Sequence, residues 1–381
     1  MSPSDVVIFV EDPGAANYIA ALPAALAAQG WRCLVLAAGQ AQEVLRAHGV
    51  EATPLPQDSS AAALLTDTAP RLLLVGTSEN PHTFSFALTT QARLHGIETI
   101  GVVDLHTNAE SRFRGSSEAA LTYAPDWLLV PDRWTQEAYA RLGYPAHRLV
   151  LCGHPHYDRV RAIGAQLAHE DPHELRRQVV PGVSATRAVV VFLAETSSGL
   201  RPQQYQRSAA YTLSGRGRRT ERTAVVLEEF LDAVALLHPA PYLVLRLHPK
   251  NTRQELRAYV PAFDAVSQGG LPYELVYVAD LVVGMTTSLL LEASLLGRQT
   301  LSIVPRREEQ YWLPGLQDGA IPCVTTRQAL RQALRQWHRP GRARAALPPA
   351  VGGGNDNALD KVMHFLQQRL QALLATRPHA A

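Results

Sequence analysis

Residues 279–303 read ADLVVGMTTSLLLEASLLGRQTLSI. An apolar, β-branched run at 281–284 passes through a small, hydroxyl-rich turn, Gly284 to Ser288, into an apolar helical pattern at 288–296. Gly297 stops that pattern and a second β-branched run follows at 300–303. Strand, tight turn, helix and strand in so short a span make a βαβ unit. Continuously apolar strands predict a parallel sheet covered on both faces. The unpaired amides and dipole at the helix start suit an anion, with the hydroxyls of Thr286, Thr287 and Ser288 as further donors. Glu292, four residues after Ser288 on an otherwise apolar helix, needs a polar partner, and a ribose hydroxyl would serve. An ordinary capped core helix is the plainer alternative.

The same alternation extends in both directions. Downstream of the midpoint, strands are expected at 188–193, 243–247 and 275–277, with a helix at 223–237. In the first half they are expected at 6–10, 33–36, 72–75, 99–103 and 127–130, with helices at 15–29 and 40–48 among the intervening segments. The pattern pauses after residue 152, and the polar stretch 169–183, with DPHE and PGVS as loop signals, marks the junction. The expected fold is therefore α/β, with two doubly wound Rossmann-like domains facing a cleft: an N-terminal, acceptor-side domain at 1–168 and a C-terminal, donor-binding domain at 184–350. A final segment, 351–381, carries the turn GGGNDN and a long amphipathic helix expected to pack back on the first domain.

Composition narrows the function. The chain has 381 residues, 36 Lys+Arg against 34 Asp+Glu, a net charge of +2, and 46% hydrophobic content. This length favours two domains, and the charge balance excludes a chain-wide polybasic nucleic-acid binder or an acidic solvating protein. The three cysteines, Cys33, Cys152 and Cys323, form no CxxC pair, which argues against a zinc ribbon or a thioredoxin-type site and fits a reducing compartment. The first ten residues lack the form of a cleaved leader, and the apolar runs are too short to span a bilayer. The expected location is the cytoplasm, either free or peripheral to the inner membrane.

Three further strand ends carry chemistry. LVLRLHPKN, 243–251, places Arg246, His248, Pro249 and Lys250 after a strand, a cationic turn suited to phosphate, with an exposed basic turn as the alternative. VEDPGAAN, 10–17, offers Glu11 and Asp12 beside a helix start and Asn17 one turn on; Asp12 is either a base or a helix cap. GVVDLHTN, 101–108, holds Asp104 and His106, which would point the same way in an extended strand end, as a base pair or as buried hydrogen-bonders. GTSENPH, 76–82, is expected to shape the same wall, and Glu195 follows the strand at 188–193 as a further cleft residue. The arginine-rich stretch 201–222 reads as a solvated loop, a mobile phosphate lid, or, less well, an RNA patch. No Walker loop, GxSxG elbow, HExxH or complete GxGxxG stands in the chain.

RLHPK followed by TTSLLLEASLLG resembles the GT-B glycosyltransferases. More narrowly it resembles bacterial enzymes with cytidine-activated donors: sialyltransferases and polysialyltransferases, capsule Kdo transferases and CDP-glycerol glycerophosphotransferases. Those families share a His-Pro motif and a later Ser/Thr pair on the donor phosphate, matched by His248-Pro249 and Thr286-Thr287-Ser288. Their first-lobe carboxylate–carboxylate–Gly motif has its nearest counterpart in Glu11-Asp12-Pro13-Gly14, with a proline interposed. The resemblance implies a metal-independent transferase without a cofactor, moving a sugar (nonulosonic acid or Kdo type) from a CMP-linked donor to a saccharide or other hydroxyl acceptor. His248, Lys250 and residues 286–288 would offset leaving-group charge, Glu292 would hold the ribose, and Asp12, His106 or Glu11 would deprotonate the acceptor. LHTNAESRF and LCGHPHYD are also similar to segments of the non-hydrolysing UDP-N-acetylglucosamine 2-epimerases, the alternative enzyme class. A non-catalytic nucleotide-sugar-binding protein is a third. Donor identity, acceptor, stereochemical outcome and oligomeric state are not set by these residues.

Overall fold

A computed structural model describes residues 3–55, 58–78, 80–199, 201–339 and 357–375. It divides into two compact units, Met1–Asp158 with Gly354–Ala381, and Arg159–Gly353. The first unit runs β1 (Val6–Val10), α1 (Pro13–Ile19), α2 (Leu22–Ala28), β2 (Cys33–Ala37), α3 (Ala41–Ala47), β3 (Thr53–Pro54), α4 (Ala61–Thr68) and β4 (Leu72–Gly76). It continues through α5 (Phe84–Leu94), β5 (Glu98–Val102), α6 (Ala109–Arg112), β6 (Trp127–Val130), α7 (Arg133–Arg141) and β7 (Leu149–Leu151). The parallel sheet has the order β3-β2-β1-β4-β5-β6-β7. Every β1 side chain is buried: Val6, Ile8 and Val10 join one core cluster, while Val7 and Phe9 join another with Leu64, Leu65 and Leu88. A strand buried on both faces has no need of polar alternation, which is why VVIFV can read as an unbroken apolar run.

Helix α8 (Pro155–Leu167) contains the division at 158–159, and α9 (Pro172–Val179) occupies the polar stretch read as the junction. The second unit continues with β8 (Val189–Leu193), α10 (Arg222–Val234), β9 (Tyr242–Arg246), β10 (Ala265–Ser267), α11 (Tyr273–Val278), β11 (Leu281–Gly284) and α12 (Ser288–Leu295). It closes with β12 (Thr300–Ile303), α13 (Pro314–Gln317), β13 (Cys323–Val324) and α14 (Arg327–Trp337), its sheet ordered β10-β9-β8-β11-β12-β13. Both sheets thus reverse direction beside their first strand, at β1/β4 and at β8/β11, and in such sheets ligands bind outside the carboxyl ends of the strands at that reversal.

The last described helix, α15 (Ala358–Ala375), belongs to the first unit. Its Val362, Met363, Leu366 and Leu370 enter the core cluster of β1, and Arg369 pairs with Glu98 at 2.6 Å. The GGGNDN turn expected before it lies outside the described residues except for Asn357, whose Oδ1 accepts from the Leu359 amide at 3.0 Å. No described helix is long and apolar enough to cross a membrane.

Two element readings need correction. The expected helix at 15–29 is two helices, because Pro23 in the first turn of α2 has no amide to continue α1. The expected strand at 275–277 is part of α11: Tyr273, Val276 and Tyr277 are buried at helical spacing, and the strand beyond β9 is the three-residue β10 instead.

Candidate functional site

In the second unit the sheet reverses beside Glu195, two residues past β8. The Glu195 carboxylate accepts from the Thr286 backbone amide, from Thr286 Oγ1 at 3.2 Å and from Arg222 Nη1 at 2.6 Å. Its carbonyl accepts from Asn251 Nδ2 at 3.2 Å. One residue therefore fastens the turn after β9 to the turn after β11, and the two sequence motifs meet through it. Arg222, the first residue of α10, also donates to Glu309 from Nε (2.8 Å) and Nη2 (2.5 Å) and to Thr286 Oγ1 at 3.1 Å. Arg306 donates to the other Glu309 oxygen at 2.6 Å. Burial disfavours the Arg222 charge, but Glu309 and Glu195 outweigh that cost and hold the guanidinium above its ordinary range. Arg222 entered the sequence analysis only as the last arginine of the stretch 201–222, and Asn251 and Glu309 not as site residues; the available signals were an arginine opening the apolar helix 223–237 and a glutamate pair in RREE.

This clasp changes the expected donor set. Thr286 is committed to Glu195 and Arg222, so its amide and hydroxyl hold the turn. Thr287 is the N-cap of α12, accepting from the Leu289 amide at 3.4 Å. Ser288 is exposed at the first helical position. Of the three hydroxyls, Ser288 is the one presented outward at the helix start.

The His248 turn is wound on itself. The His248 amide donates to Asn251 Oδ1 at 3.1 Å, and the Lys250 amide donates to His248 Nδ1 at 3.0 Å. A ring nitrogen that accepts carries no hydrogen, so this geometry assigns the proton of the neutral imidazole to Nε2. Pro249 is exposed; His248 and Lys250 are half-buried. Arg246 lies within the same segment but spends its fork on Ser267 Oγ (2.9 Å) and on the Gly269 and Gly270 carbonyls (both 2.7 Å), and burial lowers its pKa. It holds the loop after β10. Glu292 is buried on α12 and takes the Tyr273 hydroxyl as partner, so its charge is answered within the fold.

In the first unit, Glu11 follows β1 directly. Its Oε1 accepts from Asn80 Nδ2 at 2.8 Å, while Oε2 is buried with no hydrogen-bond partner among the described residues. Asp12 occupies the N-cap position of α1, yet its side chain caps no amide of that helix; Pro13 supplies the first helical residue. Asp104 accepts from Thr77 Oγ1 at 3.1 Å and stands 4.0 Å from Arg112. Its Oδ2 lies so close to the α1 backbone that a Cβ at Gly14 would meet it at 1.8 Å. Residues 104–106 bend away from β5 instead of extending it, so the alternation that paired Asp104 with His106 does not apply: Asp104 faces Thr77 and Arg112. Asn17 Oδ1 is 2.7 Å from His48 Nε2, a structural partnership on the helix side. In the 76–82 segment, residue 79 lies outside the described residues.

The arginine-rich stretch is partly built into the fold. Arg222 is buried, Arg216 pairs with Asp232 at 2.6 Å, and the amides of residues 214–216 are held by Glu228 and Glu229.

No protein-family model matches the chain, and no curated protein matches it in sequence. Solved structures do. UDP-GlcNAc 2-epimerase from Neisseria meningitidis, bound to UDP-GlcNAc, aligns with a TM-score of 0.66 at 15% identity, covering 97% of this chain and 100% of that one. The UDP-GlcNAc 2-epimerase of Methanocaldococcus jannaschii aligns at 0.63 and 12% identity, covering 97% and 100%. The wall teichoic acid polymerase TagF, soaked with CDPG, aligns at 0.58 and 12% identity, covering 97% and 89%. At such identities the likeness establishes the fold: two parallel-sheet α/β domains of the GT-B type.

Proposed function

We propose that the chain is a sugar-nucleotide enzyme, and specifically a metal-independent glycosyltransferase that uses a cytidine-linked donor. The observation that carries this reading is the Glu195 clasp, which gathers the His248 turn and the Thr286 turn at the sheet reversal of one unit. In the proposed step an acceptor oxygen attacks the anomeric carbon, the bond from that carbon to the donor phosphate oxygen breaks, and negative charge collects on the departing nucleotide. His248, with its proton on Nε2, acts as donor to that charge, together with Lys250, Ser288 and the start of α12. Thr286 is a positioning residue for the turn. For the acceptor proton, Glu11 is the preferred base because its Oε2 is buried with no hydrogen-bond partner among the described residues. Asp12 and His106 are the other candidates. The acceptor is proposed to be a saccharide, and peripheral membrane attachment is kept as part of the proposal.

A second reading is favoured by the epimerase alignments, which cover nearly the whole of both chains. It needs a UDP-linked sugar and no acceptor. Product analysis by phosphorus and proton NMR separates the two. With CMP-N-acetylneuraminic acid and CMP-Kdo offered beside a saccharide acceptor, and UDP-N-acetylglucosamine offered alone, the transferase reading expects release of CMP that is abolished by His248→Ala. Formation of the C2 epimer of UDP-N-acetylglucosamine without acceptor would establish the epimerase instead. No turnover of any of them would contradict both.

A further inference from the structure

The second unit contains a cavity of about 530 Å³, lined by Arg201, Gln203, Gln204, Arg306, Glu308 and Trp312. That volume falls within the roughly 300–1,000 Å³ of small-molecule sites. Arg306 is buried at its floor, donating to Glu309 at 2.6 Å and to the Gln204 carbonyl at 2.6 Å. Its guanidinium lies 5.2 Å from the centre of the Trp312 ring, and that of Arg222 lies 5.4 Å from it. The indole wall and the turn carrying Gln203 and Gln204 are thus fixed to one buried ion lattice before any ligand arrives, and little ordering remains to oppose binding.

The charges around this cavity cancel. Arg306 pairs with Glu309 at 2.6 Å and stands 3.9 Å from Glu308, whose side chain is 62% exposed; Arg201 is the second cation of the lining. A diphosphate would be repelled by the exposed Glu308 carboxylate, whereas a polyol would find in it a hydrogen-bond acceptor. Hydroxyl groups donate and accept together, so they suit a wall that offers acceptors (Glu308, glutamine carbonyls) and donors (Arg201, glutamine amides) beside an aromatic ring for the C–H face of a pyranose. We infer that the Arg201–Gln203–Glu308–Trp312 cavity binds a neutral saccharide of one or two sugar units. The inference rests on the reading of the chain as a sugar-nucleotide enzyme and assigns the acceptor class to a place in the second unit. Arg222 touches both Trp312 and Thr286, so this cavity and the Thr286 turn share one arginine.

The test uses the full chain with lactose, maltose and N,N′-diacetylchitobiose as probes, followed by saturation-transfer NMR. At least one sugar should bind saturably, and Gln203→Ala or Glu308→Gln should weaken it roughly tenfold, the loss of one hydrogen bond to a charged or amide group. Both substitutions lie outside the buried lattice, so nucleotide binding should be unchanged. Trp312→Ala removes the wall but endangers the fold, and the two surface variants make it unnecessary. No saturable binding of any probe at tens of millimolar, or binding indifferent to both substitutions, would overturn the inference. So would saturable binding of inorganic phosphate abolished by Arg201→Ala. If nucleotides bind and sugars do not, only this inference fails; if sugars bind and nucleotides do not, the function proposed above is the one that falls.

Discussion

Asp104 and Gly14 show how one missing methyl group positions a carboxylate. Thr77 and Arg112 hold Asp104 against the start of α1, and the space that its Oδ2 fills is the space a Cβ would need. Gly14→Ala should cost about 1–3 kcal/mol by overpacking, and Gly14→Ala combined with Asp104→Ala should cost less than the sum of the two, read by urea denaturation. His154 gives a pH expectation. It is fully buried, stacks on Tyr157 at 4.5 Å, and its Nδ1 has no hydrogen-bond partner among the described residues. Burial, and then the neighbouring His156, hold its pKa well below the usual 6.5. The unfolded chain therefore binds this proton more readily than the folded one. Stability is undiminished above pH 6.5 and falls as pH drops below it, by at most about 1.4 kcal/mol per pH unit. His154→Phe should flatten that slope in thermal unfolding between pH 7 and 5. None of these roles was legible as such: sequence gives Asp104 and His106 two apart, but only the bend after β5 decides that Asp104 faces Thr77 and Arg112.

At the scale of elements, the turns after β8, β9 and β11 are held by the buried lattice of Glu195, Arg222 and Glu309. Removing one member strands the others without solvent. Glu309→Gln or Arg222→Leu should therefore lose about 3–5 kcal/mol, and the Thr286 amide should exchange hydrogen faster than in the parent protein. An unchanged exchange rate there would mean the lattice does not hold the turn. Strands of four or five apolar residues between turn signals were legible, because burial on both faces leaves an unmistakable run. The short β3, β10 and β13 were not, since two or three residues carry no period. The segment 275–277 was misread because Val and Tyr favour strands locally, while the burial of Tyr273 with Val276 and Tyr277 is a tertiary fact. The His-Pro and Thr-Thr-Ser turns were legible as strand ends, but the glutamate that joins them was only an isolated carboxylate.

For the whole molecule, the first unit is completed by the far end of the chain. Deleting residues 357–381 would expose the core contacts of Val362, Met363, Leu366 and Leu370, each worth about 1.5–3 kcal/mol when fully buried. The calorimetric transition of the first unit should drop sharply or vanish while that of the second persists; an unaltered thermogram would show that α15 is dispensable. The division at 158–159 falls inside α8, and a helix crossing a boundary leaves no compositional mark. His248, Lys250 and Ser288, on the turns 246–251 and 286–288, are proposed to hold a donor phosphate. A thermal-shift titration with CMP, CDP, UMP, UDP, GDP and TDP addresses it directly, since a ligand at 100 times its dissociation constant adds about 2.7 kcal/mol. Stabilisation by CMP or CDP that disappears in His248→Ala is the expected outcome. Stabilisation by UDP alone would move the reading to a UDP-sugar enzyme, and no shift with any nucleotide would contradict the phosphate site.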